Sequence, residues 1–147
     1  MCGDLDENTQ IGQQLLEQLK VMSRMLGIAV EQKPDAAQAM NLATVDGRGA
    51  YMQTLFSAGL TRALNDTDAT EPELVVDAIA SQAIAFARLA GFLAGQLPPE
   101  ADLFRNTLEA LMSGHAEPAR LARDHQHEQD HLHGHSHDHD HPHDHHH

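Results

Sequence analysis

Between Val76 and Leu97, apolar residues recur in a strict alternation of three and four steps: Val76, Ile79, Ala83, Phe86, Ala90, Leu93 and Leu97. A seven-residue period keeps one stripe of a helix turned toward a neighbour, so it predicts the seam of a left-handed helix pairing. The start of this helix is also legible. Thr70 and Glu73 have the spacing of a capping box, and Pro72 falls in the first turn, where its missing N–H costs little. Many of the other positions are small, among them Ala78, Ala80, Ala85, Ala87, Gly91, Ala94 and Gly95. Gly91-x-x-x-Gly95 has the spacing of a membrane pairing motif. Asp77, Gln82 and Arg88 interrupt the stretch, however, and leave no run of about twenty uncharged apolar residues to span a bilayer. The expectation is the central helix of a water-soluble bundle.

The flanking segments read as helices too. Ile11, Leu15, Leu19, Met22 and Leu26 give a first helix one apolar face, opening near Asp4 or Thr9 with Asp4 and Glu7 spaced as a capping pair. Met22 and Met25 share a side of it and read as core filling. Pro34 and Asp35 restart a helix after Glu31-Gln32-Lys33, with Ala39, Met40 and Ala43 as a thin apolar side, until Asp46-Gly47-Arg48-Gly49 turns the chain. A third helix runs from Tyr51 through Leu55, Phe56 and Leu60 to Leu64, and Asn65 to Asp68 form a loop. After Pro98-Pro99-Glu100, Leu103, Phe104, Leu108, Leu111 and Met112 line another helix up to Ser113-Gly114. Pro118 permits one more short turn, and Leu121 is the last residue suited to burial.

The reading is therefore all-α, a four- to five-helix bundle over residues 1–123. Aromatics make up only 3% of the chain, so its core must rest on Leu, Ile, Val, Met and alanine, which suits close-packed helices. Shifting the chain by 64 positions pairs Glu7 with Glu71, Gln18 with Gln82, Arg24 with Arg88, Gly27 with Gly91, Gln32 with Gln96, Pro34 with Pro98 and Ala37 with Ala101. Each half then reads as a long helix, a Gln-x-Pro break and a second helix, a duplicated hairpin.

From Asp124 the chain changes character. Twelve of its 13 histidines follow: His125, His127, His131, His133, His135, His137, His139, His141, His143, His145, His146 and His147, spaced mainly by Asp, Ser, Gly, Leu and Pro. An added affinity tag is an uninterrupted histidine block, whereas here only the last three are consecutive. With no apolar periodicity, residues 124–147 are expected to be a disordered tail. Imidazole is the commonest protein ligand for transition metals, so the expected chemistry is binding of Ni²⁺ or Zn²⁺, with Co²⁺ and Cu²⁺ as further ions such a ligand set accepts in vitro. Sites assembled from a mobile segment are individually weak, numerous and quick to exchange. The rival use is a solubilising or pH-responsive tail, since imidazoles ordinarily gain charge below about pH 6.5.

Charge and missing motifs narrow the function further. The net charge is −13. No basic stripe exists to displace counterions, which disfavours nucleic acid and anionic membrane surfaces as partners. The single cysteine, Cys2, supports neither an internal disulfide nor a cysteine cluster. The acidic N-terminus lacks the pattern of a secretory signal, which makes the cytoplasm the expected location. His115, the only histidine outside the tail, has no Glu three residues before it, as a di-iron or di-manganese bundle site would need, and no Cys-x-x-Cys, phosphate loop or Gly-x-Ser-x-Gly occurs, so a non-enzymatic role is expected. His115 follows Gly114 and reads as a helix-end cap or a plainly exposed residue more readily than as a ligand partnered by Glu117.

Residues 125–147 resemble the histidine-rich termini of nickel metallochaperones, such as those of urease and hydrogenase maturation, and the His-Asp-His loops of zinc transporters. The resemblance implies metal storage or delivery, without kinship. The nucleotide-binding loop of the GTPase chaperones is missing, which argues against an energy-driven insertase. The helices would then dock the chain to itself as a homodimer, or to an apo-metalloenzyme or metal transporter. The competing reading is a helical interaction or regulatory module to which the tail is incidental.

Overall fold

The computed structural model of the protein describes residues 3–28 and 41–133. Among these residues there are four α-helices and no strand: α1 (Gly3–Met25), α2 (Val45–Asp68), α3 (Val75–Ala94) and α4 (Leu103–His133), with 3-10 turns at Pro72–Leu74 and Pro99–Ala101. The chain is all-α, at the lower end of the expected helix number. The helix expected from Pro34 to Ala43 falls almost wholly outside the described residues, as do Cys2, the Gln32-x-Pro34 break and the histidines from His135 onward. Contacts divide the chain into two units, Met1–Phe104 and Arg105–His147, whereas composition alone placed the change near Arg123.

In the first unit, α1 ends in a Schellman motif. The Ile28 N–H donates to Ser23 O at 2.9 Å and the Gly27 N–H to Arg24 O at 3.0 Å, with Gly27 at φ 73°. A residue with a Cβ is strained at that φ, and this fixes the helix end at a glycine.

The start of α2 differs from expectation. Asp46-Gly47-Arg48-Gly49 is no turn but the opening of the helix, because Thr44 caps it: the Thr44 hydroxyl accepts from the Gly47 N–H at 3.0 Å. Arg48 donates to Leu42 O at 3.0 Å and Ala43 O at 3.3 Å, folding the preceding residues onto the first turn. A Cβ on Gly47 would collide with the Asn41 carbonyl. The glycine signals a close approach here and does not break the helix.

At its other end α2 runs through Asn65–Asp68, with an Arg62–Asp66 ion pair at 2.7 Å along its surface. The expected capping box does not form. Thr70 stands at the end of α2, where carbonyls lack partners, and its hydroxyl donates to Asp66 O at 2.7 Å. No side chain caps the 3-10 turn that leads into α3.

The two helices form an antiparallel hairpin tied by a glutamine. Gln82 Nε2 donates to Ala63 O at 3.1 Å and to Thr67 Oγ1 at 3.3 Å. Gln18 of α1 donates to Gln96 Oε1 at 3.2 Å, just beyond α3. These bonds turn α3 away from the expected packing. Half-buried positions include Val75, Ala78, Gln82, Phe92 and Gln96, each one residue ahead of the heptad seam. Along the seam itself Ala90 is half-buried, whereas Val76 is 76%, Ile79 53%, Phe86 45% and Leu93 46% exposed. No described side chain is fully buried. On α1 the expected face is the more covered one, with Leu15, Leu19 and Met22 half-buried, whereas Met25 is exposed. By length and composition, Pro72–Ala94, 23 residues of mean hydropathy 1.4, is long and apolar enough to cross a membrane, although Glu73, Asp77 and Arg88 lie within it.

Asp102 adopts a left-handed conformation at φ 48°, which an aspartate tolerates better than most residues, and α4 follows directly. It runs for 31 residues to His133. Ser113-Gly114 and Pro118, expected to end the helix and leave one short turn, lie inside it. Pro118 removes a single hydrogen bond, the one to Gly114 O. Propagation through one lost bond costs less than starting a new helix, because nucleation is the expensive step. His115 is therefore an exposed mid-helix residue and caps nothing.

Two substitutions test this account. Thr44→Ala should destabilise the start of α2 by about 1 kcal/mol, read as faster amide exchange at residues 45–50. Pro118→Ala should strengthen α4, by up to about 3 kcal/mol for an interior helix position, seen as higher helical content by circular dichroism in urea.

Candidate metal centre

The tail expected to be disordered from Asp124 begins as helix: α4 carries Asp124 to His133 as its last turns. The earlier boundary followed the loss of apolar residues after Leu121. Burial and helix formation are separate properties, and Ala119, Arg120, Ala122, Arg123, Gln126, Glu128 and Gln129 are all sound helix formers. Of the twelve tail histidines, His125, His127, His131 and His133 therefore have a helical position. His135, His137, His139, His141, His143, His145, His146 and His147 lie outside the described residues.

Helix geometry sorts these residues onto faces. At about 100° per residue, His127 and His131 project about 40° apart, one turn from each other. Asp124 and Glu128 fall on the same side, within an arc of about 100°. Both rings and both carboxylates are exposed. His125 lies on another face, where its Nε2 is 3.0 Å from Gln129 Nε2. Among the described residues, His127 and His131 are the one histidine pair with a helical spacing of four.

The local charge favours a cation. Asp124, Glu128 and Asp130 follow Arg123, and no Lys or Arg occurs after it. The carbonyl end of a helix is the negative pole of its dipole, so carboxylates there are mutually and axially unfavourable until a positive charge joins them. Arg123 lies one turn before His127, and Arg120 is drawn back toward Glu117 at 3.7 Å. No group of three or more His, Cys, Asp or Glu side chains among the described residues is arranged to hold a metal. The helix thus presents pairs of donors on one side and no closed centre. Its exposed side chains are free to turn, and water can fill the remaining coordination positions.

His115 and Glu117 do not extend this site. They sit two residues apart on α4, so they point to opposite sides, and Glu117 is engaged with Arg120. His127-Glu128-Gln129-Asp130-His131 spells His-Glu-x-x-His, a spacing that the sequence shows directly and that sequence reasoning missed. The positions of Glu128 and Gln129 relative to the rings depend on the helix. Compared with family models, characterised proteins and solved structures, the chain matches none.

Helical Cα secondary chemical shifts should persist without a break past Arg123 to at least His131 in the metal-free chain. Random-coil shifts from Asp124 onward would remove the facial grouping of His127 and His131.

Proposed function

We propose that the protein is a divalent transition-metal binding protein, acting in the cytoplasm as a nickel or zinc buffer, store or metallochaperone. The single observation that carries this reading is the concentration of twelve histidines, interleaved with six acids and no bases, in residues 124–147. The metal is cargo in this reading, not a resident cofactor. Neutral imidazoles bind it, and the interspersed carboxylates raise the local cation concentration and accept the second ring N–H. Binding competes with protons, so loading is strongest at neutral to alkaline pH. Many overlapping sites of modest strength suit exchange with a client, since release needs no large rearrangement. Co²⁺ and Cu²⁺ are accepted by the same donors, and availability selects the ion in the cell.

The helices serve docking. The open seam Val76, Ile79, Phe86 and Leu93 supports this part, because a strict heptad is complementary to a second copy of itself. Homodimerisation through α3 withdraws those side chains from water and provides a surface separate from the metal ligands. An apo-metalloenzyme or metal transporter is the proposed client. The same seam is the observation that favours the adaptor reading, in which a partner helix occupies it and the tail is incidental.

Native mass spectrometry of the full chain, titrated with Ni²⁺ or Zn²⁺ near pH 7.5, should show several bound ions. A chain ending at Arg123 should show at most one while keeping its α1–α3 helicity. Equal ion numbers on both chains would overturn the assignment of metal handling to residues 124–147. Light scattering should give twice the 16.1 kDa chain mass, falling to the monomer value for Ile79→Glu with Phe86→Glu. A monomeric parent chain would leave the seam to a different partner.

A further inference from the structure

We infer that His127 and His131 form a preordered two-histidine clamp on α4 that takes the first divalent ion and fastens the end of that helix. The inference rests on the proposed metal handling by residues 124–147 and adds where loading begins. Two histidines four apart on a helix present their rings on one side, the arrangement that lets both nitrogens reach one zinc-like ion. Among the described residues neither ring has a hydrogen-bond or ion-pair partner, whereas His125 Nε2 lies 3.0 Å from Gln129 Nε2. Asp124 and Glu128 share their side of the helix and supply negative charge there.

The helix lowers the entropic cost of assembling this pair. Backbone torsions are already fixed, so only side-chain rotations need be restricted, while a ligand set drawn from irregular chain must also order its backbone. The gain is reciprocal. An ion bound only when residues 127–131 are helical must stabilise that helical turn, by ordinary linkage. The carboxylates at the carbonyl end of α4 make that turn unfavourable without a cation, which enlarges the response. Alternate positions elsewhere in α4 cannot substitute, since residues two apart project about 200° from each other.

The test uses the full chain with Zn²⁺ or Ni²⁺ alone near pH 7.5, reading native mass spectrometry and amide hydrogen exchange together. One equivalent of ion should slow exchange across residues 123–133 in the parent chain. H127A/H131A should lose that protection and bind its first ion about tenfold more weakly, while still taking up several ions at excess metal. H131A/L132H keeps the histidine count but moves one ring about 100° around the helix, and should behave like the double alanine variant. Leu132 is 81% exposed, so this exchange removes no packing. If ions bind in the same number while the α4 amides are unaffected, or if H131A/L132H retains the parent's first affinity, the clamp is overturned and the wider metal-handling proposal stands. If the parent chain binds no ion, both fall together.

Discussion

Each helix of this protein depends chiefly on the hydrogen bonds it makes within itself, because no described side chain is fully withdrawn from water. Cooperativity then sets the architecture. A helix that must support itself gains from length, and the four here run 23, 24, 20 and 31 residues. Ends become costly points, and the chain treats them with specific devices: Gly27 in a Schellman motif, Thr44 as a hydroxyl cap, Asp102 in the left-handed region. Between helices the identified polar ties are glutamines. Gln82 is the most consequential, since its bonds to Ala63 and Thr67 choose which side of α3 faces α2.

That choice explains what the sequence could and could not reveal. Periodicity in α1 and α3 located both helices, and on α1 it also identified the more covered face. On α3 the same reasoning gave the correct segment and the wrong side. Apolar spacing measures which stripe would profit most from burial. A polar side chain that must find its partner across the hairpin can override it, because leaving a partly buried amide unpaired costs more than leaving leucine wet. The turns were misread for a related reason. Gly47, Gly114 and Pro118 are helix breakers by propensity, but propensity is a weak prior once capping or cooperative propagation is in place.

The tail histidines show a similar division. Their identity was plain from the alternation of histidine with acid, which needs no fold to be recognised. The spacing of His127, Glu128 and His131 was legible as well, but whether it makes one face depends on helical register continuing through Arg123, where the apolar signal has already stopped. Glu128 and Gln129 illustrate this. In an extended chain they are spacers, whereas on α4 one shares a side with His131 and the other engages His125.

Register also separates two kinds of ligand set within one segment. The tail histidines of α4 are spaced by two, four and two, while those after His133 follow at intervals of two and finally one. On a helix, a spacing of two sends rings to opposite sides, so only the central interval of four can join two nitrogens on one ion. Gly134 and Pro142 are poor helix formers, and the imidazoles around them are many and closely spaced. A chain built this way couples a small site whose geometry is set in advance to a larger reserve of similar ligands. On the proposed reading, the ordered pair would set how loading begins and the reserve how much could be carried.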